Sequence, residues 1–142
     1  MLTTDNLLYL AQSIPNFCGV YSINCLPKLQ ALNCNNVSHH HTKPQQQQMK
    51  TLIVNLDTDN LPGSHWVSVA LNGEMTEIFD SYGRPPPPLL QSWAGQWTYV
   101  PTMMIQHPDA DTCGYYALIF CVSRPYCRSL LDTVHYIATL PI

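Results

Sequence analysis

The sequence predicts an α+β fold, on three observations. Its middle third holds short apolar runs bounded by turn-forming residues, the pattern of β-strands. Between two of these runs sits Asn72-Gly73, a strong signal for a two-residue hairpin. Helical patterns lie on either side, above all the run at 113–122 (CGYYALIFCV), apolar enough that a helix there must be buried on most sides. Strands flanked in sequence by helices imply α+β architecture.

Each element has its own signals. Residues 4–14 form a helix: Thr4 or Asp5 caps it, Leu7, Leu8, Leu10 and Ala11 supply the apolar stripe, and Pro15 stops it. Residues 17–27 read as irregular, with Gly19 and Pro27 marking turns. Residues 33–50, with histidines at 39–41 and glutamines at 45–48, are polar low complexity and read as a flexible surface loop. The apolar run 51–56 is a strand, closed by Asp57, Asp59, Asn60, Pro62 and Gly63. Residues 65–71 alternate, with Val67, Val69 and Leu71 on one face and Trp66, Ser68 and Ala70 on the other; 75–80 return antiparallel. The prolines at 85–88 break the chain before an amphipathic stretch at Leu89, Leu90 and Trp93, and 97–104 read as a further strand. Asp111 or Thr112 caps the apolar helix. Ser123 and Pro125 then open another, with Tyr126, Leu130, Val134 and Ile137 at helical spacing.

The 142 residues suit one domain, taken as 1–142, and the 46% hydrophobic content can build a core. A chain of this size removes roughly two-thirds of its unfolded surface from water, enough for a core without metal or disulfide staples. No signal peptide and no membrane-spanning run is apparent, which predicts a soluble, non-secreted protein made in a reducing compartment. Six cysteines stand at 18, 25, 34, 113, 121 and 127; without a secretion signal a disulfide framework is not expected, and the lack of a Cys-x-x-Cys pair speaks against a zinc ribbon. A net charge of −3 with only six Lys and Arg gives no support to nucleic-acid binding, whose affinity needs clustered cations. His39, His40 and His41 with Cys34 could make a metal site, but a solvated loop is the plainer reading.

Chemistry-bearing residues gather at element ends, where a scaffold can present side chains to one cleft. His65 begins a strand, Asp80 ends the next, and a hairpin at Asn72-Gly73 makes the two neighbours. An Asp beside an imidazole fixes its tautomer and steadies the imidazolium. Cys113 opens the apolar helix, where unpaired N–H groups and the helix dipole favour thiolate. Gly114 lets a carbonyl come close, the Cys113 N–H can stabilise an oxyanion, and Gln106, seven residues upstream, can add a side-chain amide. Taken singly, each residue has an ordinary reading: a core cysteine, a surface histidine, a turn aspartate. Cys121 and Cys127 are assigned to the core on that ground. The functional reading rests on the conjunction of all four, in that order along the chain.

The run GSHWVSVALNGEMTEIFDSYG, followed by Gln106 and ADTCGYY, resembles the adenovirus-type cysteine endopeptidases (adenain), especially their shorter relatives in large DNA transposons and animal DNA viruses. PNFCGVYSINCLP and IVNLDTDNLPGSHW resemble segments those relatives carry. The resemblance spans residues 17–122 and extends more broadly to the deSUMOylating protease fold. It implies a mixed, largely antiparallel sheet packed against a central helix that carries the nucleophilic cysteine. It also implies a thiol protease with Cys113 as nucleophile, His65 as base, Asp80 as acid and Gln106 on the oxyanion. Substrate would enter past Trp66 and Gly114 in a narrow cleft suited to glycine; Trp66 serves equally well as a core indole. The implied partners are polypeptide substrates, capsid or core precursors, in a host nucleus or cytoplasm and in virions. A deconjugase of ubiquitin-like modifiers would use the same triad, though 142 residues leave little surface to grip a folded modifier. The chain is shorter than adenain and mildly acidic, so a DNA cofactor is not carried over. No cysteine here can be matched to a disulfide-joined activating peptide, which is left open, and no cofactor is expected.

Overall fold

Five strands form one mixed sheet in the order β1-β2-β3-β4-β5, identical to their order in sequence. They are β1 (Phe17–Ser22), β2 (Lys50–Asn55), β3 (Trp66–Asn72), β4 (Met75–Phe79) and β5 (Trp97–Tyr99). Among the described residues four α-helices join them: α1 (Thr4–Leu10), α2 (Pro88–Ala94), α3 (Cys113–Ser123) and α4 (Leu130–Ala138). The computed structural model describes residues 2–35, 49–57, 65–101, 104–107 and 110–142. Most of the loop expected at 33–50, and the turn formers Asp59, Asn60, Pro62 and Gly63, lie outside these residues.

The antiparallel pairs are central, β2 with β3 and β3 with β4; the edge pairs, β1 with β2 and β4 with β5, are parallel. The mixed sheet expected from the sequence is thus present, with its antiparallel character concentrated in the middle. Alternation along β3 divides its side chains as anticipated. Val67 and Val69 pack with Leu52, Val54, Ile78 and, from α2, Leu90 and Ala94. Trp66 faces the other way, with Ile53, Leu7, Ala11, Cys113, Ala117 and Cys121. Further along that side, Ala70 and Phe79 meet Tyr116 and Phe120 of α3 and Val134 and Ile137 of α4. The Phe79 and Phe120 rings stack with centroids 5.0 Å apart. Helix α3 is buried on most sides as its composition requires, leaving Tyr115 and Val122 about half exposed.

Several elements differ from expectation. Residues 17–22 form an edge strand rather than irregular chain: a register shift between Phe17 and Val20, with Gly19 at φ 115°, breaks the alternation that would have marked it. The Tyr21 ring packs where a Gly19 side chain would sit. Helix α1 is capped one residue earlier than expected, by Thr3, whose side chain accepts from the Asn6 N–H while the Asn6 side chain accepts from the Thr3 N–H. Thr112 occupies the N-cap of α3 but makes no side-chain capping bond. Pro125 opens only a 3-10 turn (Arg124–Tyr126); the last helix starts later, capped by Ser129, which accepts from the Asp132 N–H. Strand β5 is three residues long, shorter than the 97–104 run.

A disulfide joins Cys18 and Cys34, which the sequence reading did not expect. Backbone pairing explains it. Asn35 donates to the Phe17 carbonyl at 2.9 Å and Asn16 to the Asn35 carbonyl at 3.1 Å, laying residue 34 beside β1. Cys34 is therefore not free to join a metal site, and the histidines at 39–41 lie outside the described residues. Among the described residues no cluster of ligating side chains could hold a metal ion, and no helix is long and apolar enough to cross a membrane.

Candidate active site

The hairpin sets the site. Pairing runs from Asn72 opposite Met75 to Ser68 opposite Phe79, and the same register continued leads to His65 on one strand and the Asp80–Tyr82 turn on the other. The His65 carbonyl accepts from the Leu56 N–H at 3.0 Å, which holds the start of β3 to the end of β2. His65 Nε2 and Asp80 Oδ1 are 2.7 Å apart, and both side chains are nearly buried. A second bond to the same oxygen, from the Tyr82 N–H at 2.8 Å, orients the carboxylate. Asp80 Oδ2 lies 3.5 Å from Arg84 Nε.

Cys113 completes this group from the start of α3. With Nε2 engaged by Asp80, Nδ1 is the His65 nitrogen left for the sulfur. The two side chains interact electrostatically, although Nδ1 has no bond of full hydrogen-bond geometry among the described residues. Burial opposes ionisation of Cys113, but the His65 side chain and the N–H groups of Trp66 and Gly114 outweigh it, and the thiol titrates below its ordinary value. Burial likewise opposes charging of His65; Asp80 and Cys113 outweigh it and raise its pKa to about 9. For Asp80, burial is overcome by His65, the Tyr82 N–H and Arg84, which hold the carboxyl below its usual range. Each of the three shifts favours the charged form of its group: thiolate, imidazolium and carboxylate. Cys121, two turns along the same helix, moves the other way, pushed up to about 12 by burial despite a Thr51 contact. One helix thus carries an activated cysteine at its start and an inert one in its core.

Gln106 sits in the segment before α3, pinned to the turn after β4. The backbone N–H groups of Ile105 and Gln106 both donate to the Ser81 carbonyl, at 3.0 and 3.1 Å, and the Ser81 hydroxyl donates to Gln106 Oε1. Its Nε2 donates to the Ala110 carbonyl at 2.7 Å and to the Tyr82 hydroxyl at 3.3 Å. Gln106 thereby joins the network around His65, with its amide N–H groups held by Ala110 and Tyr82. Trp66 is buried, and its indole N–H donates to the Leu2 carbonyl at 3.0 Å. Gly114 faces it: a Cβ built there would lie 3.1 Å from Leu2 and 3.4 Å from the Trp66 ring. These two residues adjoin the cysteine, and Leu2 fills the space between them.

Ser81 and Tyr82 belong to this site and did not stand out in the sequence. Tyr82 stacks on the His65 ring, centroids 4.8 Å apart. The signal that could have found it is the hairpin register, which sets the turn after Asp80 against His65.

Comparison with family models finds no match, and neither does comparison with curated proteins. Solved structures do resemble this chain. The ASFV pS273R protease matches over 98% of this chain and 60% of its own, at a TM-score of 0.61 and 16% identity. A selenomethionine crystal form of that protease matches over 64% and 38%, at 0.51 and 23%. The SUMO protease Ulp1 matches over 68% and 52%, at 0.43 and 15%. The chain therefore spans between about two-fifths and three-fifths of the ASFV chains. What this likeness establishes is architecture: the chain has the adenain-like protease fold that the ASFV pS273R protease shares.

Proposed function

We propose that this chain is a cysteine endopeptidase that cuts polypeptides beside glycine. The observation that carries the reading is the 2.7 Å His65–Asp80 bond beside a thiol whose pKa is lowered at the start of α3. In the proposed reaction the Cys113 thiolate attacks the scissile carbonyl carbon, and Gln106 with the Cys113 N–H takes the oxyanion. His65 imidazolium gives its proton to the departing amine and Asp80 keeps the ring oriented. Neutral His65 then draws a proton from water, whose oxygen attacks the thioester; the acid product leaves and the thiolate returns. In this scheme Trp66 and Gly114 flank the entering peptide once Leu2 yields its place between them. The proposed substrates are capsid or core precursors of a virus or transposon, supported by the motif resemblance and by a fold shared with a viral protease.

The test compares the wild type with Cys113→Ala, using a fluorescent iodoacetamide and purified capsid precursors. The expected result is rapid labelling and cleavage at glycine in the wild type, both lost in the variant. Labelling unchanged in Cys113→Ala would overturn the assignment. Cleavage confined to ubiquitin-like fusions would replace the proposed substrate class.

A further inference from the structure

We propose that Tyr82 is a positioning residue for this site: its ring holds the plane of His65 and favours the imidazolium, while its hydroxyl holds the Gln106 amide. The inference rests on the endopeptidase reading above and adds a residue to it. Asp80 and Gly83 close a turn, with the Gly83 N–H donating to the Asp80 carbonyl at 2.8 Å and Gly83 at φ 70°. This turn directs three parts of Tyr82 to three jobs. Its N–H bonds the same Asp80 oxygen that meets His65. Its ring lies on the imidazole at 4.8 Å and an interplanar angle of 22°. Its hydroxyl accepts from Gln106 Nε2 at 3.3 Å.

A single hydrogen bond at Nε2 fixes one point of the imidazole but leaves the ring plane able to swing about that point. A stacked ring removes the swing, so that Nδ1 stays directed at the sulfur. The negative π face also stabilises a cation lying on it. Among the described residues, the charged and titratable groups around His65 are Asp80 from the end of β4, Cys113 from α3, Arg84 from the turn, and Asp57, which lines one cavity with His65, Asp80 and Arg84. Arg84 is itself placed over the Tyr82 ring, 4.8 Å from its centroid. Substituting Tyr82 leaves Asp80, Cys113 and Asp57 in place but takes the ring from beneath Arg84, so Arg84→Ala is the control: a change in titration that it does not reproduce would report the ring on His65.

The experiment measures the pH–rate profile of Cys113 alkylation by iodoacetamide, which needs thiolate but no peptide, with Cys113→Ala as background. In Tyr82→Leu the acid limb is expected to move up by about one pH unit and alkylation below neutral pH to slow on the order of tenfold. Tyr82→Met, which keeps bulk without a π face, takes its place if leucine does not fold. Tyr82→Phe keeps the stack, so its alkylation profile should follow the wild type. Its acylation by N-acetylglycine para-nitrophenyl ester should fall several-fold, because Gln106 has lost an anchor. A folded Tyr82→Leu or Tyr82→Met with the wild-type profile would overturn the role of the ring, and a Tyr82→Phe that acylates at the wild-type rate would overturn that of the hydroxyl. Failure of the endopeptidase reading looks different: wild-type Cys113 would then alkylate no faster than it does in His65→Ala.

Discussion

Asp80 shows how much one side chain can carry at the residue scale. It receives His65 and the Tyr82 N–H on one oxygen and Arg84 on the other, and its charge is a main reason His65 titrates at about 9. Cleavage should therefore follow a bell-shaped pH dependence, rising with the lowered Cys113 thiol and falling near pH 9 as His65 loses the proton it gives the leaving amine, whereas alkylation, which needs only thiolate, should rise without that fall. In Asp80→Asn the fall should move toward the ordinary histidine value of 6.5, which a pH–rate series would read directly. Gln106→Ala tests a separate part of the mechanism. If the amide swings from Ala110 to the oxyanion during acylation, kcat should drop about 100-fold or more while iodoacetamide labelling is kept. Loss of both together would mean that Gln106 only holds the loop. His65, Asp80 and Cys113 could be named from sequence because each is a reactive type at an element end, and Gln106 because it stands seven residues before Cys113. Tyr82 could not, since an aromatic in a turn has no reactivity of its own; its role exists only through what its ring touches.

Among elements, a buried ion pair ties the hairpin to the chain just after α3, beside the apolar packing that joins the two. Arg124 Nε and Nη2 donate to the two oxygens of Glu77 on β4, and Nη1 donates to the Cys127 carbonyl at 3.0 Å. Both residues are almost fully buried, so Arg124→Ala would leave an uncompensated carboxylate and should cost about 3–5 kcal/mol in urea denaturation. The double change Arg124→Met with Glu77→Leu should recover most of that loss, since no buried charge remains. The same buried pair explains a difference in helix boundaries. Arg124 is tied back to the sheet at the end of α3, and the chain turns there through a short 3-10 stretch before α4 begins. Spacing of Tyr126, Leu130 and Val134 alone could not reveal that tie. The hairpin, by contrast, was legible, because Asn72-Gly73 and a period-2 pattern are local signals. Strand β1 was not, because its partner β2 lies about thirty residues away and a bulge at Gly19 blurs the alternation.

For the whole molecule, the site's charge state should also shape stability. His65 is raised from 6.5 to about 9, so its contribution is complete below pH 6.5 and is lost as pH climbs through about 9. Asp80 is lowered from 3.8, so its contribution is present above that value and fades as pH falls through its folded pKa. Melting curves of wild type and Asp80→Asn should therefore differ most between about pH 4 and 6.5 and converge toward both ends. A gap that did not vary with pH would mean the pair adds no linked stability. Local sequence determined the fold class, the central hairpin, the apolar helix and the order His65, Asp80, Gln106, Cys113, because periodicity, turn chemistry and residue type act over a few neighbours. Tertiary structure alone decided the parallel edge strands, the Cys18–Cys34 bridge, the Glu77–Arg124 tie and the stacking of Tyr82 on His65. These depend on which distant segments share a sheet edge or a buried pocket. Such contacts arise only when burial of the whole core brings those segments together.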